Sequence, residues 1–542
     1  EGVRQMITGA RDRVYPALVN IEVVTVNYWG GQDRKGTSVG SGTIISPEGH
    51  VVTNFHVTDS GTRFVCRLAD KREIRARLVG DDPLTDLAVL QLDLSELKPG
   101  ETLPVAEFGD SDELEVGDYV LAMGSPLALS RSVTLGIVSN TERVFAGVDG
   151  APDEMQLGAG QRTGLFTRWI QHDALIHPGN SGGPLVNLRG QIVGVNELGG
   201  GGQGFAIPAN LAREVVAALI RDGEVIRSWI GISVRSIKDT GLTRGVLVNS
   251  VVSDGPAARA GLQAGDVIIA IDDEPLTIRF AEELPPLLKE IAARPVGATI
   301  TFSYERDGQA GTSTVTTEKL QKDIGDQNVF RDWGITAMAI TDKMARDRRL
   351  DGTAGVIVSG VRTGGPAQLA EPALSPGDVI RGVTGQPVAT LDDFIAQYRA
   401  VMDSDPLPEF VLVEYERLGQ SFVTLIKPRP EKDEDPPREL PRAWIGVATQ
   451  PMLPELAAQL GLEGVAGFRV TRVYPRTLAA ETALQVGDVI VAVNGDRTEP
   501  RGVQDAGLLA RLVRQLEIGG EATLTVRRGA DEREIVVPLE RT

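Results

Sequence analysis

The sequence predicts a mainly β protein, an all-β barrel or sandwich domain followed by three copies of an α+β domain. Two observations carry this. From about residue 15 to 210 the chain runs as short β-branched segments separated by Gly- and Pro-marked turns. Beyond residue 227 one long pattern recurs three times. A chain of 542 residues also exceeds a single hydrophobic core, which stops growing at roughly 250–300 residues.

Within the first part, Val19-Asn20-Ile21-Glu22-Val23, Ser41-Gly42-Thr43-Ile44-Ile45, His50-Val51-Val52-Thr53, Asp86-Leu87-Ala88-Val89-Leu90 and Tyr119-Val120-Leu121-Ala122 read as strands. Helices are expected to be scarce until Pro208-Ala209-Asn210. There Leu211, Val215, Val216, Leu219 and Ile220 take helical spacing, and Gly223 stops the run. This domain is expected to span 1–227.

Each later copy opens on a Trp and an apolar-Gly-apolar step: Trp229-Ile230-Gly231-Ile232, Trp333-Gly334-Ile335 and Trp444-Ile445-Gly446-Val447. A strand after Gly follows, at Gly245, Gly355 and Gly467. Then comes Gly-Asp with a further strand, at Asp266, Asp378 and Asp488, about 110 residues apart. That period is the size of a domain rather than of a solenoid repeat. The copies are expected at 228–320, 331–428 and 442–542. A mixed polar segment, 318–332, joins the first two, and the charged, proline-rich run Pro428 to Pro437 predicts a semi-stiff spacer before the third.

A net charge of −19 argues against nucleic acid and anionic membrane surfaces as partners. No stretch approaches the ~20 apolar residues that span a bilayer. The start, Glu1-Gly2-Val3-Arg4, lacks a signal-peptide pattern and a Met, which leads us to expect that a targeting segment has been removed. The single cysteine, Cys66, excludes an intrachain disulfide and a thiolate metal site. Its alternating surroundings predict a half-buried strand position.

Gly179-Asn180-Ser181-Gly182-Gly183-Pro184 carries the chemistry. A nucleophilic serine needs an exposed tight turn with room for substrate backbone, and such a turn can aim the N–H groups of Gly179 and Ser181 at one oxyanion. Serine also needs a neutral imidazole. Of His50, His56, His172 and His177, His56 is preferred, at the end of a strand. His177 lies close to Ser181 but in the chain leading to the turn, and His50 and His172 read as exposed turn or loop residues. Asp86 heads an apolar strand and suits the orienting carboxylate, whereas Asp81, Asp82 and Asp110 read as turn residues.

The order His56, Asp86, Ser181, within Thr53-Asn54-Phe55-His56-Val57, Thr85-Asp86-Leu87-Ala88 and Gly179-Asn180-Ser181-Gly182-Gly183-Pro184-Leu185, closely resembles the HtrA (DegP/Deg) family of serine proteases bearing PDZ domains. The resemblance covers nearly the whole chain. It implies a chymotrypsin-like double β-barrel followed by three PDZ domains, and a cofactor-free, metal-free endopeptidase of protein quality control. It further implies work in the periplasm or cell envelope on unfolded or misfolded polypeptides, as a homo-oligomer of trimers or their multiples. Carried over by position, His56 is general base and acid, Asp86 its orienter, Ser181 the nucleophile, and Gly179 with Ser181 the oxyanion donors. Phe55 departs from the family's frequent Asn. Leu175, six positions before Ser181, replaces the carboxylate that selects basic residues, so cleavage after small or aliphatic residues is implied, with Leu198 to Gly204 similar to a pocket-forming loop. Thr141 to Thr163 resembles a regulatory loop, the alternative being a passive surface loop. The PDZ copies would bind chain termini by strand addition at the apolar-Gly-apolar turn, with Ile230, Gly231 and Ile232 the best-formed case. The competing function is a PDZ-based scaffold or chaperone with a latent protease domain.

Overall fold

A computed structural model describes residues 2–98, 100–125, 132–145, 155–157, 161–177, 179–430, 443–475, 477–500, 502–514 and 516–541. The mainly β class is borne out. Strands β1 (Leu18–Trp29), β2 (Gln32–Ile44), β3 (His50–Thr53), β4 (Gly61–Arg67), β5 (Glu73–Asp82) and β6 (Leu87–Leu92) close into a barrel in the order β1-β2-β3-β6-β5-β4. A second barrel holds β7 (Tyr119–Gly124), β8 (Ser132–Arg143), β9 (Trp169–His172), β10 (Pro184–Asn187), β11 (Ile192–Gly200) and β12 (Gln203–Pro208). Its order is β9-β12-β11-β10-β7-β8. Closure leaves neither sheet an unpaired edge.

Helix α1 (Gly2–Val14), which the sequence reading did not anticipate, buries Ala10 and Val14 against the first barrel's core. The one-turn helix α2 (Phe55–Thr58) follows β3. Helix α3 (Ala209–Asp222) appears where its spacing predicts. It buries Leu211, Val215, Val216 and Leu219 against Val52, Leu87 and Val195, which come from both barrels. Gly223 ends it at φ +78°, its N–H donating to Leu219 O at 2.9 Å, the left-handed stop glycine supplies without strain.

The first repeat forms a sheet in the order β13-β14-β15-β16-β17, from β13 (Ile232–Arg235), β14 (Val246–Val251), β15 (Val267–Ile271), β16 (Thr299–Arg306) and β17 (Gln309–Thr316). Helix α4 (Leu284–Ala293) packs on it. The sheet of the second repeat runs in chain order through β18 (Gln327–Phe330), β19 (Ile335–Ala339), β20 (Val356–Val361), β21 (Val379–Val383), β22 (Val411–Arg417) and β23 (Gln420–Ile426), with a short seventh strand, Gln386–Pro387, paired to β21 and with helix α5 (Leu391–Met402). β18 falls in the segment read from sequence as a polar joint. The third repeat follows the first, with β24 (Val447–Met452), β25 (Gly467–Val473), β26 (Val489–Val493), β27 (Glu521–Arg528), β28 (Asp531–Pro538) and helix α6 (Leu508–Val513). Residues 2–430 of the described chain belong to one compact unit and the third repeat to another. Most of the predicted spacer, from residue 431 on, lies outside the described residues.

The Gly-Asp step of each repeat has one structural cause. Asp266, Asp378 and Asp488 are buried, and each accepts two hydrogen bonds from an arginine about 40 residues further on, Arg306, Arg417 or Arg528, at 2.6–2.8 Å. The same arginines also donate to the carbonyls of Gly261, Ala373 and Ala483. A buried carboxylate needs such a fork to replace its water.

Candidate active site

Three elements converge where the barrels meet. After β3 the chain turns into α2, so His56 sits on a helical turn rather than at a strand end, a correction to the sequence reading. Asp86 follows the short helix Pro83–Thr85 in a left-handed conformation (φ +53°) and is fully buried. It is clamped to the α2 segment twice over. Its carbonyl accepts from Phe55 N at 3.1 Å and Asn54 Nδ2 at 2.9 Å. Its carboxylate accepts from His56 N at 2.9 Å (Oδ1) and pairs with His56 Nδ1 at 2.7 Å (Oδ2).

Burial disfavours the imidazolium of His56, but the hydrogen bond and charge of Asp86 outweigh it and leave the ring more basic than usual. Burial also pushes the Asp86 carboxyl up, while His56 pulls it down. The imidazole is raised because both Asp86 oxygens face N–H groups of His56 and both contacts favour a carboxylate beside a cation. Nδ1 is thereby assigned as the proton-bearing nitrogen, which leaves Nε2 able to accept a proton.

Ser181 lies on a turn pinned between barrels. Its carbonyl accepts from Ser41 N at 2.9 Å, and Ser41 Oγ donates to Gly179 O at 2.5 Å. Gly182 N donates to Asn196 O at 2.9 Å. The glycines answer to space as well as conformation. A Cβ on Gly182 (φ +80°) would lie 2.2 Å from Ser41 O and Thr53 Oγ1. Neither Gly179 N–H nor Ser181 N–H meets an acceptor among the described residues. Ser181 Oγ donates to Glu197 O at 3.2 Å, not to His56.

Glu197 went unnoticed in the sequence. It is the extra residue of a β-bulge in β11, between Asn196 and Leu198, and its side chain is buried with Oε2 accepting from Trp169 Nε1 at 2.6 Å. Two histidine readings are corrected. His172, expected to be exposed, is fully buried in β9 under Gly204, where a Cβ would lie 2.3 Å from its ring, and burial lowers its pKa to about 4. His50 is a half-buried strand residue bonded to Ser46 Oγ at 2.8 Å. His177 is exposed. Cys66 is fully rather than half buried, with its thiol pushed up to about 12. Leu175 is exposed, and Leu198 to Gly204 forms the β11–β12 hairpin. Most of Thr141 to Thr163 lies outside the described residues.

A cleft of about 2230 Å³ lies between the first barrel and the first two repeats, and none of His56, Asp86 and Ser181 lines it. It is lined by Phe55, beside His56, by the turn Trp229–Ile232 and β13 of the first repeat, and by Arg346 of the second. At the turn, Ile230 O and Gly231 O accept from Ala257 N and Val252 N at 2.9 and 2.8 Å, while Ile230 N–H and Gly231 N–H meet no acceptor among the described residues.

The chain is similar to known proteins. The trypsin-like peptidase domain profile matches residues 40–195, and the PDZ domain profile matches 228–317 and 451–527. A probable periplasmic serine endoprotease, DegP-like, of Pseudomonas putida (strain W619) is 36% identical over 387 residues, 67% of this chain and 74% of the relative. The chain belongs to the HtrA (DegP-like) family of serine endoproteases. The periplasmic serine endoprotease DegP of Escherichia coli (strain K12) is 34% identical to this HtrA protein over 392 residues, 70% of this chain and 74% of the relative. Among solved structures, the HtrA-type protease AlgW with tripeptide is 36% identical, with a TM-score of 0.49, covering 58% of this HtrA chain and 97% of AlgW. Two of the three repeats are thus matched as PDZ domains; the second shares their strand order with one strand added.

Proposed function

We propose that Ser181, His56 and Asp86 are the nucleophile, base and orienter of this endoprotease, with the N–H groups of Gly179 and Ser181 as oxyanion donors. The pairing of His56 with a buried Asp86, 30 residues away in sequence, carries the reading. Oγ of Ser181 swings from Glu197 O to His56 Nε2, gives it the proton and attacks the peptide carbonyl carbon. The tetrahedral oxyanion takes the two free N–H groups, and each such donor contributes about 10²–10³ in rate. Protonated His56 then donates to the leaving amine as the C–N bond breaks, and water, deprotonated by the same ring, releases the acyl group from Ser181.

Substrates in this reading are unfolded polypeptides cut after small or aliphatic residues. Chain termini are held on the first PDZ module by the N–H groups of Ile230, Gly231 and Ile232, with a strand added along β13. Tethering there raises the local concentration of substrate at Ser181. The periplasm of the named relatives and a homo-oligomer, trimeric or a multiple of it, belong to the same reading, as do module limits at 1–227, 228–320, 331–428 and 442–542.

The Ser181 Oγ bond to Glu197 O favours a second reading, in which the resting protease is latent until a ligand turns the serine. Labelling by a fluorophosphonate probe and cleavage of an unfolded, disulfide-free protein, with and without C-terminal peptides, separate the two. The active reading expects both in the parent chain and neither in Ser181→Ala. A parent chain that reacts only with peptide present is the latent form, and one that never reacts overturns the assignment.

A further inference from the structure

In the first and third repeats, the strand after the apolar-Gly-apolar turn, β13 or β24, is the outermost of its sheet among the described residues. In the second repeat it is not. β18 pairs antiparallel with β19, in the register Asn328↔Ala337, Val329↔Thr336 and Phe330↔Ile335. Ala339 N donates to Asp326 O at 2.9 Å, and Val329 N–H turns away to the side chain of Asn328, so the odd-numbered amides of β19 face β18. The edge that a peptide would join is already paired.

The turn is filled as well. Trp333 N and Gly334 N, the amides placed to hold a terminal carboxylate, donate to Phe330 O at 3.1 and 2.9 Å. The Phe330 side chain is buried, with its ring centroid 4.4 Å from Phe394 and 5.1 Å from Tyr398, both on α5. Residues 327–330 therefore run in the direction of a strand-adding peptide, with backbone on the edge, last side chain between edge and helix, and last carbonyl on the turn.

We propose that the second module is occupied by its own chain: Gln327–Phe330 is its resident ligand, and peptide recognition falls to the open edges of the first and third modules. This rests on the peptide-binding reading of the repeats, and it adds which of them can bind. An intramolecular strand is tethered only a few residues from its site, so an external peptide competes against a high effective concentration.

Hydrogen–deuterium exchange on the full chain carrying Ser181→Ala, which spares added peptide from cleavage, tests it. The probe is a decapeptide with the sequence of residues 321–330 and a free carboxylate. Without peptide, the amides of Ala337 and Ala339 are expected to exchange at least about tenfold more slowly than the outward amides of β13. Adding peptide should leave them unchanged. Asn328→Pro, which removes a ladder N–H from β18, should speed them, and the decapeptide should slow them again. Were Asn328→Pro to unfold the module, β21–β23 would lose protection too, and the parent-chain comparison would decide. Ala337 and Ala339 exchanging as fast as β13 in the unliganded parent, or slowing when peptide is added to it, overturns the proposal. Absence of any peptide effect on β13 would instead refute peptide binding by the first module and leave the second module's occupancy standing.

Discussion

Glu197 is a carboxylic acid sealed beside the Asp86 carboxylate. Burial, and then the neighbouring Asp86 charge, push its pKa well above the usual carboxylate value of 4.5, while Trp169 Nε1 pulls the other way. Oε1 has no hydrogen-bond partner among the described residues. The folded chain therefore keeps this proton where the unfolded chain releases it, and the sign follows. The group's contribution is most favourable below the unfolded value of 4.5 and is lost as pH rises toward the folded pKa, at up to ~1.4 kcal/mol per pH unit. Glu197→Gln cannot ionise and still accepts from Trp169. Its stability advantage over the parent in urea unfolding should grow from pH 5 to pH 8, and an advantage independent of pH would show that Glu197 is ionised in the fold. His56, Asp86 and Ser181 stood out in the sequence because each lies in a local pattern, just after a strand, just before one, or on a glycine turn. Glu197 and His172 were not, because their burial comes from a bulge and from a glycine on the opposite strand, which spacing along one segment does not reveal.

At the scale of elements, the repeated Gly-Asp step was visible as a pattern, but its partner was not. A lone arginine at the end of a strand, about 40 residues on, looks like any solvated charge until the sheet brings it under the turn. In the third module Asp488 binds Arg528 through both oxygens and also accepts from Gln485 N at 2.8 Å. Asp488→Ala should therefore cost about 1–3 kcal/mol, the penalty of leaving such donors unpaired. Chemical denaturation followed through that module should register the loss, and a loss under ~0.5 kcal/mol would mean that water replaces the carboxylate freely. β18 escaped the sequence reading for a related reason. Gln-Asn-Val-Phe has one β-branched residue and no alternation, and it becomes a strand only because Phe330 finds Phe394 and Tyr398 on α5.

Across the larger unit, the second module is fastened to the first barrel at the tip of the β1–β2 hairpin. Asp33 pairs with Arg331 through both oxygens, at 3.0 and 2.5 Å, and this contact lowers the Asp33 pKa. An exposed pair of this kind adds little on its own, about 0–1 kcal/mol. The backbone fit is the more demanding part. A Cβ on Gly31 (φ +72°) would lie 2.2 Å from Arg362 N and 2.5 Å from Gly334 O, and a Cβ on Gly360 would lie 2.7 Å from Gly31 N. Two glycines thus allow main chain to meet main chain, and the Gly334 turn that Phe330 fills from one side is covered by the hairpin from the other. Because each side needs the other's missing side chain, Gly31→Val and Gly360→Val should have the same effect although they lie on different domains. Either one should raise amide exchange at both 30–33 and 360–362 by about tenfold or more, while the amides of β3 and β6 keep their protection. Should each substitution disturb only its own segment, the hairpin and the module would be neighbours without being coupled, and the docking of the self-occupied module would depend on the linker alone.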